Sequence, residues 1–320
     1  MAKYYLFPRS LSKRLPDLHP LGWWIEARLV KTFVAMLRRR SLADATRLAH
    51  RVFRAVGPRT IKHKAVIRNL YVAFPDKTTE DLDEVMRDVF GYLGTAFAEL
   101  VHLDTIWRER DARLEFDAPS KLAFLEQRGK PAVLVTAHVG PWTLGNFVAR
   151  QYGFPLSIVY APESNPRLRD LMYELRAALG VTQIERDQSM RALMQALAKG
   201  ETVGLGSDVR LDAGENLPFF GHDMQCNTVP ARLALRYDCE LVPVRAQRLP
   251  GGRFRISMET PVLPSDPSAS QKDQAADMTR QLNARFERWI CDSPGEWMCL
   301  AGRWPKPLLR ARVEARGRKF

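Results

Sequence analysis

Four cysteines, Cys226, Cys239, Cys291 and Cys299, are all that this 320-residue chain contains, and no two form a C-x-x-C pair. That sparsity excludes a disulfide scaffold and a thiolate zinc site, and it suits thiols kept reduced in a cytosolic compartment. No H-E-x-x-H occurs and the six histidines lack ligand spacing, so no metal is expected. A Walker loop and a G-x-G-x-x-G opening a helix are also missing, which argues against nucleotide chemistry and a bound cofactor. Residues Met1 to Pro20 carry no apolar h-region of a signal peptide. The longest apolar stretch, Leu21 to Leu37, is interrupted by Glu26, Arg28 and Lys31 and falls short of the roughly 20 residues a span needs.

Acidic residues are scarce at both ends. Residues 1–70 hold 16 basic against 3 acidic side chains and residues 303–320 hold 7 against 1, whereas residues 71–302 hold 26 against 32. A basic front and tail on a mildly acidic body suit docking onto a polyanion. The basic residues share the front with Trp23 and Trp24, and Arg38, Arg39 and Arg40 follow the apolar stretch. A helix of that kind lies flat in a membrane interface, or packs on the body, or does both. No motif of aromatics interleaved with basic residues supports nucleic-acid binding. The composition, 46% hydrophobic and 27% charged, is that of a globular protein with a sizeable core.

The hydrophobic period divides the chain. SLADATRLAHRVFRAVG reads as a helix capped by Ser41 and stopped by Gly57-Pro58, with further helices from Ile61 to Phe74 and from Thr78, whose capping partner is Asp81, toward Leu103. From Pro131 the pattern changes to strands alternating with helices. The strands are 131–137, 155–160, 181–185, 202–207, 240–247 and 254–258; the helices are 165–179, 189–199, 228–238 and 268–290. This alternation predicts an α/β fold with a mostly parallel mixed sheet flanked by helices and ligands at the carboxyl ends of strands. The expected organisation is a basic helical membrane-associating region over 1–57, an α/β domain over 58–305 and a basic tail over 306–320.

His138 ends the PAVLVTA strand and precedes a sharp turn, Val139-Gly140-Pro141-Trp142. A titratable group at the mouth of a sheet is placed for acid or base work, although a structural histidine fits position alone equally well. His19, His50, His63 and His102 have no partner pattern, and His222 has no role assigned.

LVTAHVGPWTLGN resembles the H-x-x-x-x-E/D segment of the lipid A late acyltransferases, within the lysophospholipid acyltransferase superfamily. Arg68-Asn69-Leu70 with Phe74-Pro75, VYAPESNPRLRDLMYELR, LAKGETVGLGSDVRLDAGENLPFFG and TVPARLALRYDCELVPVRAQR are similar to further family segments in the same order, covering about 60–305. The resemblance implies a glycerolipid-acyltransferase-like fold. It also implies transfer of an acyl chain from acyl carrier protein or coenzyme A to a hydroxyl of a lipid A precursor or lysolipid. The place would be the cytoplasmic face of a bacterial inner membrane, with membrane lipids as partners.

It also makes His138 the general base. The family's carboxylate five residues on is Thr143 here, and a hydroxyl cannot stabilise an imidazolium by charge. Three explanations stay open: another carboxylate replaces it, with Glu163 ranked ahead of Asp208; His138 and Thr143 form a weaker dyad; or the chain kept the fold as a non-catalytic lipid-binding or scaffold protein. Asp208 matches the family's aspartate, and Arg176 matches a family arginine suited to phosphate, with Arg210 a further phosphate candidate. Another family arginine has its place at Ala161. Gly214, Phe219, Phe220 and Gly221 form a loop whose aromatics would line an acyl channel, although a Phe-Phe pair by itself reads as core.

Overall fold

The structure, a computed structural model, describes residues 18–119, 122–127 and 129–318. The signal-peptide reading of the first 17 residues lies outside them. Four helices open the described chain: α1 (Leu18–Arg38), α2 (Leu42–Val56), α3 (His63–Ala73) and α4 (Thr79–Val101). The starts of α2 and α4 follow local chemistry, because Ser41 Oγ accepts from the Asp44 amide and Thr78 Oγ1 from the Asp81 amide, each at 3.1 Å. Glycines of α4 set the distance to α2: a Cβ on Gly94 would meet the Ala49 carbonyl oxygen at 2.3 Å. Val34 and Leu37 of α1 are buried, and Phe33 forms a triangle of rings with Phe53 and Phe97, their centres 6.1 to 6.2 Å apart.

The seven-stranded sheet has the order β1-β9-β8-β2-β5-β3-β4. Its strands are β1 (Leu114–Asp117), β2 (Ala132–Thr136), β3 (Leu156–Tyr160), β4 (Thr182–Glu185), β5 (Thr202–Gly206), β8 (Glu240–Leu249) and β9 (Arg253–Met258). The five from β8 to β4 are parallel, and β9 joins β8 antiparallel with β1 parallel to β9. The fold is therefore α/β with a mostly parallel mixed sheet between helices.

Strand β2 lies at its centre and is buried on both sides, which explains its continuous apolar run. Val133 and Val135 pack with α6 (Ser189–Ala198), α7 (Val229–Arg236) and α8 (Gln271–Asp292). Ala132 and Leu134 pack with Leu144 and Phe147 on the other face. The crossover helix α5 (Pro166–Ala177) starts at Asn165, whose Oδ1 accepts from the Arg167 amide at 3.0 Å. Asn165 Nδ2 donates to the Trp23 carbonyl and to Glu26 Oε2, both at 2.9 Å, so α1 is tied to the body at this cap.

Three elements differ from the sequence reading. Residues expected as loop form a hairpin, β6 (Arg210–Phe219) and β7 (His222–Cys226). Its turn places Phe220 and Gly221 at φ +51° and +69°, the conformation usually marked by Asn-Gly, so the phenylalanine conceals it. The expected basic tail contains α9 (Lys306–Glu314), which packs on α3 through the buried pair Leu309 and Val313. A short β1 adds the sheet edge. No described helix is long and apolar enough to cross a membrane.

Candidate active site at the ends of β2 and β5

The parallel register pairs Val133 with Val203 and Thr136 with Gly206. It continues past the strands, with the Ser207 amide bonded to the Thr136 carbonyl at 3.0 Å, and so sets His138 beside Asp208. Asp208 Oδ1 accepts from the His138 amide at 3.1 Å and lies 2.5 Å from His138 Nδ1. Gly206 makes room for the ring, since a Cβ there would lie 2.6 Å from His138 Cε1. A carboxylate only accepts, so this contact keeps a proton on Nδ1 and leaves Nε2 with the lone pair. The His138 side chain is 26% exposed, whereas Asp208 is fully buried.

The other carboxylate oxygen faces the C-terminal part of the chain. Trp297 Nε1 and Arg303 Nη2 each donate to Asp208 Oδ2 at 3.1 Å. Burial pushes the Asp208 carboxyl up, but His138, Arg303 and the hydrogen bonds from His138 and Trp297 outweigh it and hold the group well below the usual carboxylate range. Arg303 is fixed in turn by Asn69 of α3, whose Oδ1 accepts from its amide at 2.9 Å. Asn69 Nδ2 donates to the carbonyls of Cys299 and Ala301 at 2.9 and 2.7 Å. Asn69 lies within a segment quoted for the family, but without an assigned role. Trp297 and Arg303 were not read from the sequence at all, because nothing in WMCLAGRW distinguishes a site from a core.

The structure separates the two candidate carboxylates: Asp208 lies against His138 and Glu163 does not. Glu163 follows β3, which β5 separates from β2, and its partner is Arg176 rather than His138. Arg176 also bonds Gln183 Oε1 at 3.3 Å and lies 4.8 Å from the centre of the Tyr160 ring. The guanidinium expected to meet phosphate is thus engaged by protein groups. Thr143 uses its carbonyl, which accepts from Asn146 Nδ2 at 2.9 Å, and no hydrogen bond joins it to His138 among the described residues.

Arg210 Nε donates to Asp212 at 3.0 Å and its Nη1 to the Trp304 carbonyl at 3.4 Å. Phe219 is fully buried, with Trp304 stacked at 5.7 Å and Trp297 at 6.2 Å, and does not line an open channel. Phe220 is half-buried, 6.0 Å from Trp297, and its amide donates to Glu287 Oε1 at 2.7 Å. Gly221 forms the exposed turn. His222 Nε2 lies 3.0 Å from Arg312 Nη2. Among the described residues no group of three or more His, Cys, Asp or Glu side chains could hold a metal ion.

Two curated relatives are each 26% identical over 251 residues, spanning 74% of this chain and 76% of theirs: the lipid A biosynthesis palmitoleoyltransferase of Escherichia coli (strain K12) and the lipid A biosynthesis acyltransferase of Shigella flexneri. Among solved structures, a 1-acyl-sn-glycerophosphate acyltransferase from Thermotoga maritima is similar at 11% identity and a TM-score of 0.35, over 77% of this chain and 97% of that one. The family described as bacterial lipid A biosynthesis acyltransferase matches residues 12–306, and this chain, with His138 and Asp208 joined where its central strands end, belongs to that family.

Proposed function

We propose that the protein is an O-acyltransferase in which His138 is the general base and Asp208 orients and charges its imidazole. The observation that carries this reading is the 2.5 Å contact between Nδ1 and a buried carboxylate, on a ring that is partly exposed. His138 Nε2 takes the proton of the acceptor hydroxyl, and the oxygen attacks the thioester carbonyl. The C–S bond then breaks, and the departing thiolate takes the proton from His138. Charge on the carbonyl oxygen needs donors. The Gly140 amide is spent on the Glu296 carbonyl at 3.3 Å and Pro141 has none, so within this turn the amides of Trp142 and Thr143 are the ones left for the task.

The donor is an acyl thioester of acyl carrier protein or coenzyme A, and the acceptor is a lipid A precursor or related lysolipid. Location at the cytoplasmic face of the inner membrane is supported by α1, which leaves Leu21, Trp24 and Leu29 exposed beside Arg28 and Lys31. Thr143 motivates the contrary reading, a lipid-binding protein without turnover, and a buried Asp208 carboxylate beside His138 weighs against it.

The test is mass spectrometry of a detergent reaction with both thioesters and a bacterial lipid extract, beside His138→Ala. A new acylated lipid that disappears in the variant is expected. Intact, lipid-binding protein with no His138-dependent product from either donor would replace the transferase with the non-catalytic reading.

A further inference from the structure

Arg248, near the end of β8, takes no part in the proton path. Its Nε and Nη2 donate to Oε1 and Oε2 of Glu99 on α4 at 2.7 and 2.8 Å, and its Nη1 donates to Glu296 Oε2 at 2.7 Å. All three side chains are largely buried, at 14% exposed for Arg248, 4% for Glu99 and 16% for Glu296. The guanidinium also lies 5.4 Å from the centre of the Tyr92 ring. Burial pushes the Glu99 carboxyl up and Arg248 opposes that rise. Two carboxylates around one guanidinium are a poor way to stabilise a core, because desolvation of charge offsets or exceeds the pairing energy.

What this cluster does fix is position. Glu296 begins a three-residue segment that is joined to the His138 turn at each step. The Glu296 carbonyl accepts from the Gly140 amide at 3.3 Å, Trp297 pairs with Val139 in an isolated bridge, and the Met298 amide donates to the His138 carbonyl at 2.8 Å. Trp297 also donates to Asp208, as described above. Gly140 stands at φ +66°, and a Cβ on it would fall 2.6 Å from the Ala246 carbonyl oxygen on β8 and 3.3 Å from Glu296 Oε2. The turn is therefore pressed between β8 and the 296–298 segment. Arg248 joins these two to α4, through a planar fork that two carboxylates fill.

We propose that Arg248, anchored on Glu99, is a positioning residue for acyl transfer: by gripping Glu296 it holds the 296–298 segment that seats both His138 and Asp208. This inference rests on the acyl-transfer reading of the site. Lysine at 248 would keep the charge but not the fork, and so would not restore the geometry.

The decisive variant is Glu296→Gln, which keeps the shape, removes one buried negative charge and leaves the Arg248–Glu99 pair intact. Thermal stability is expected to hold or rise, while kcat falls about tenfold or more with KM little changed, as for reacting groups displaced by a fraction of an ångström. A second readout does not depend on turnover: in full-length protein with 15N-labelled histidine, the low-field resonance of the His138 Nδ1 proton shared with Asp208 is expected to shift in Glu296→Gln. Wild-type kcat, or an unmoved resonance, overturns the proposal. His138→Ala run in parallel separates the two ideas. Absence of His138-dependent transfer in the wild type removes the acyl-transfer reading, and the resonance then decides alone whether the cluster places the pair.

Discussion

His138 Nδ1 and Asp208 Oδ1 lie 2.5 Å apart because the register that pairs Thr136 with Gly206 runs on for two residues beyond both strands. The partner of the imidazole thus comes from the neighbouring strand and not from the fifth residue along the same chain segment. Under the proposed mechanism this carboxylate supplies the charge that Thr143 lacks. Asp208→Asn is expected to lower kcat by roughly three to four orders of magnitude, the scale seen when a triad loses its carboxylate charge. Thr143→Ala should stay within about threefold of wild type, since its hydroxyl does not support the ring. Initial rates of the two variants, with folding checked by circular dichroism, decide this. A large loss in Thr143→Ala would return the dyad to His138 and Thr143.

The place of His138 at a strand end was legible because an apolar strand ending before a glycine turn is a local pattern, whereas its role as a base came only from the family resemblance. Asp208 was legible only as one of two candidates. The chain runs β2, β3, β4, β5, whereas the sheet runs β2, β5, β3, β4, and periodicity records the first order without the second. With neighbouring strands about 4.8 Å apart, the loop after β3 is displaced by two strand spacings from β2, and the Glu163 carboxylate there is taken up by Arg176. The outer support of Asp208 was illegible for a similar reason. Trp297 and Arg303 return from a segment about ninety residues further along the chain, and their role depends on tertiary packing alone.

The depressed Asp208 carboxyl has a consequence for acid stability. A group whose folded value lies below its unfolded value of about 3.9 contributes stability that is complete above that pH and is lost as pH falls through the folded value. Asp208 therefore contributes nothing to pH dependence between about pH 5 and 8, and its contribution begins to shrink below about pH 4 and is lost progressively as the pH falls further. The difference in unfolding midpoint between wild type and Asp208→Asn, followed from pH 7 to 2, is expected to be constant at first and then to shrink. Parallel curves down to pH 2 would show that the folded protein does not depress this carboxyl.

Phe219 offers a direct contrast between channel and core. Its ring is fully buried among Trp297, Trp304 and Phe220, directly behind the Trp297 that serves Asp208. Its carbonyl accepts from Trp304 Nε1 at 3.2 Å. Phe219→Ala should then cost about 3–5 kcal/mol of stability, the usual price of an aromatic cavity. The folded fraction should keep its preference among acyl donors of different length. A changed chain-length profile with an unchanged melting temperature would place Phe219 in the acyl channel after all.

Helix α1 illustrates how a sequence feature changes meaning once its facing is known. Glu26 interrupts the apolar stretch as read along the chain, yet its carboxylate accepts from Asn165 Nδ2 and belongs to the side held on the body. The outward residues are Leu21 and Trp24, each 50% exposed, and Leu29, 61% exposed, with Arg28 and Lys31 among them. Substituting Trp24 and Leu29 by serine removes side chains that are half or more exposed among the described residues, so the melting temperature should fall by no more than a few degrees. Binding to anionic vesicles should weaken by roughly tenfold for each, on the scale of 1–2 kcal/mol for half-inserting such side chains. Arg28→Gln and Lys31→Gln should instead reduce the salt sensitivity of binding, because their share is electrostatic and screened. Vesicle co-sedimentation at two salt concentrations separates the contributions. Unweakened binding by the serine variants, with the same salt dependence as wild type, would move the membrane contact away from α1.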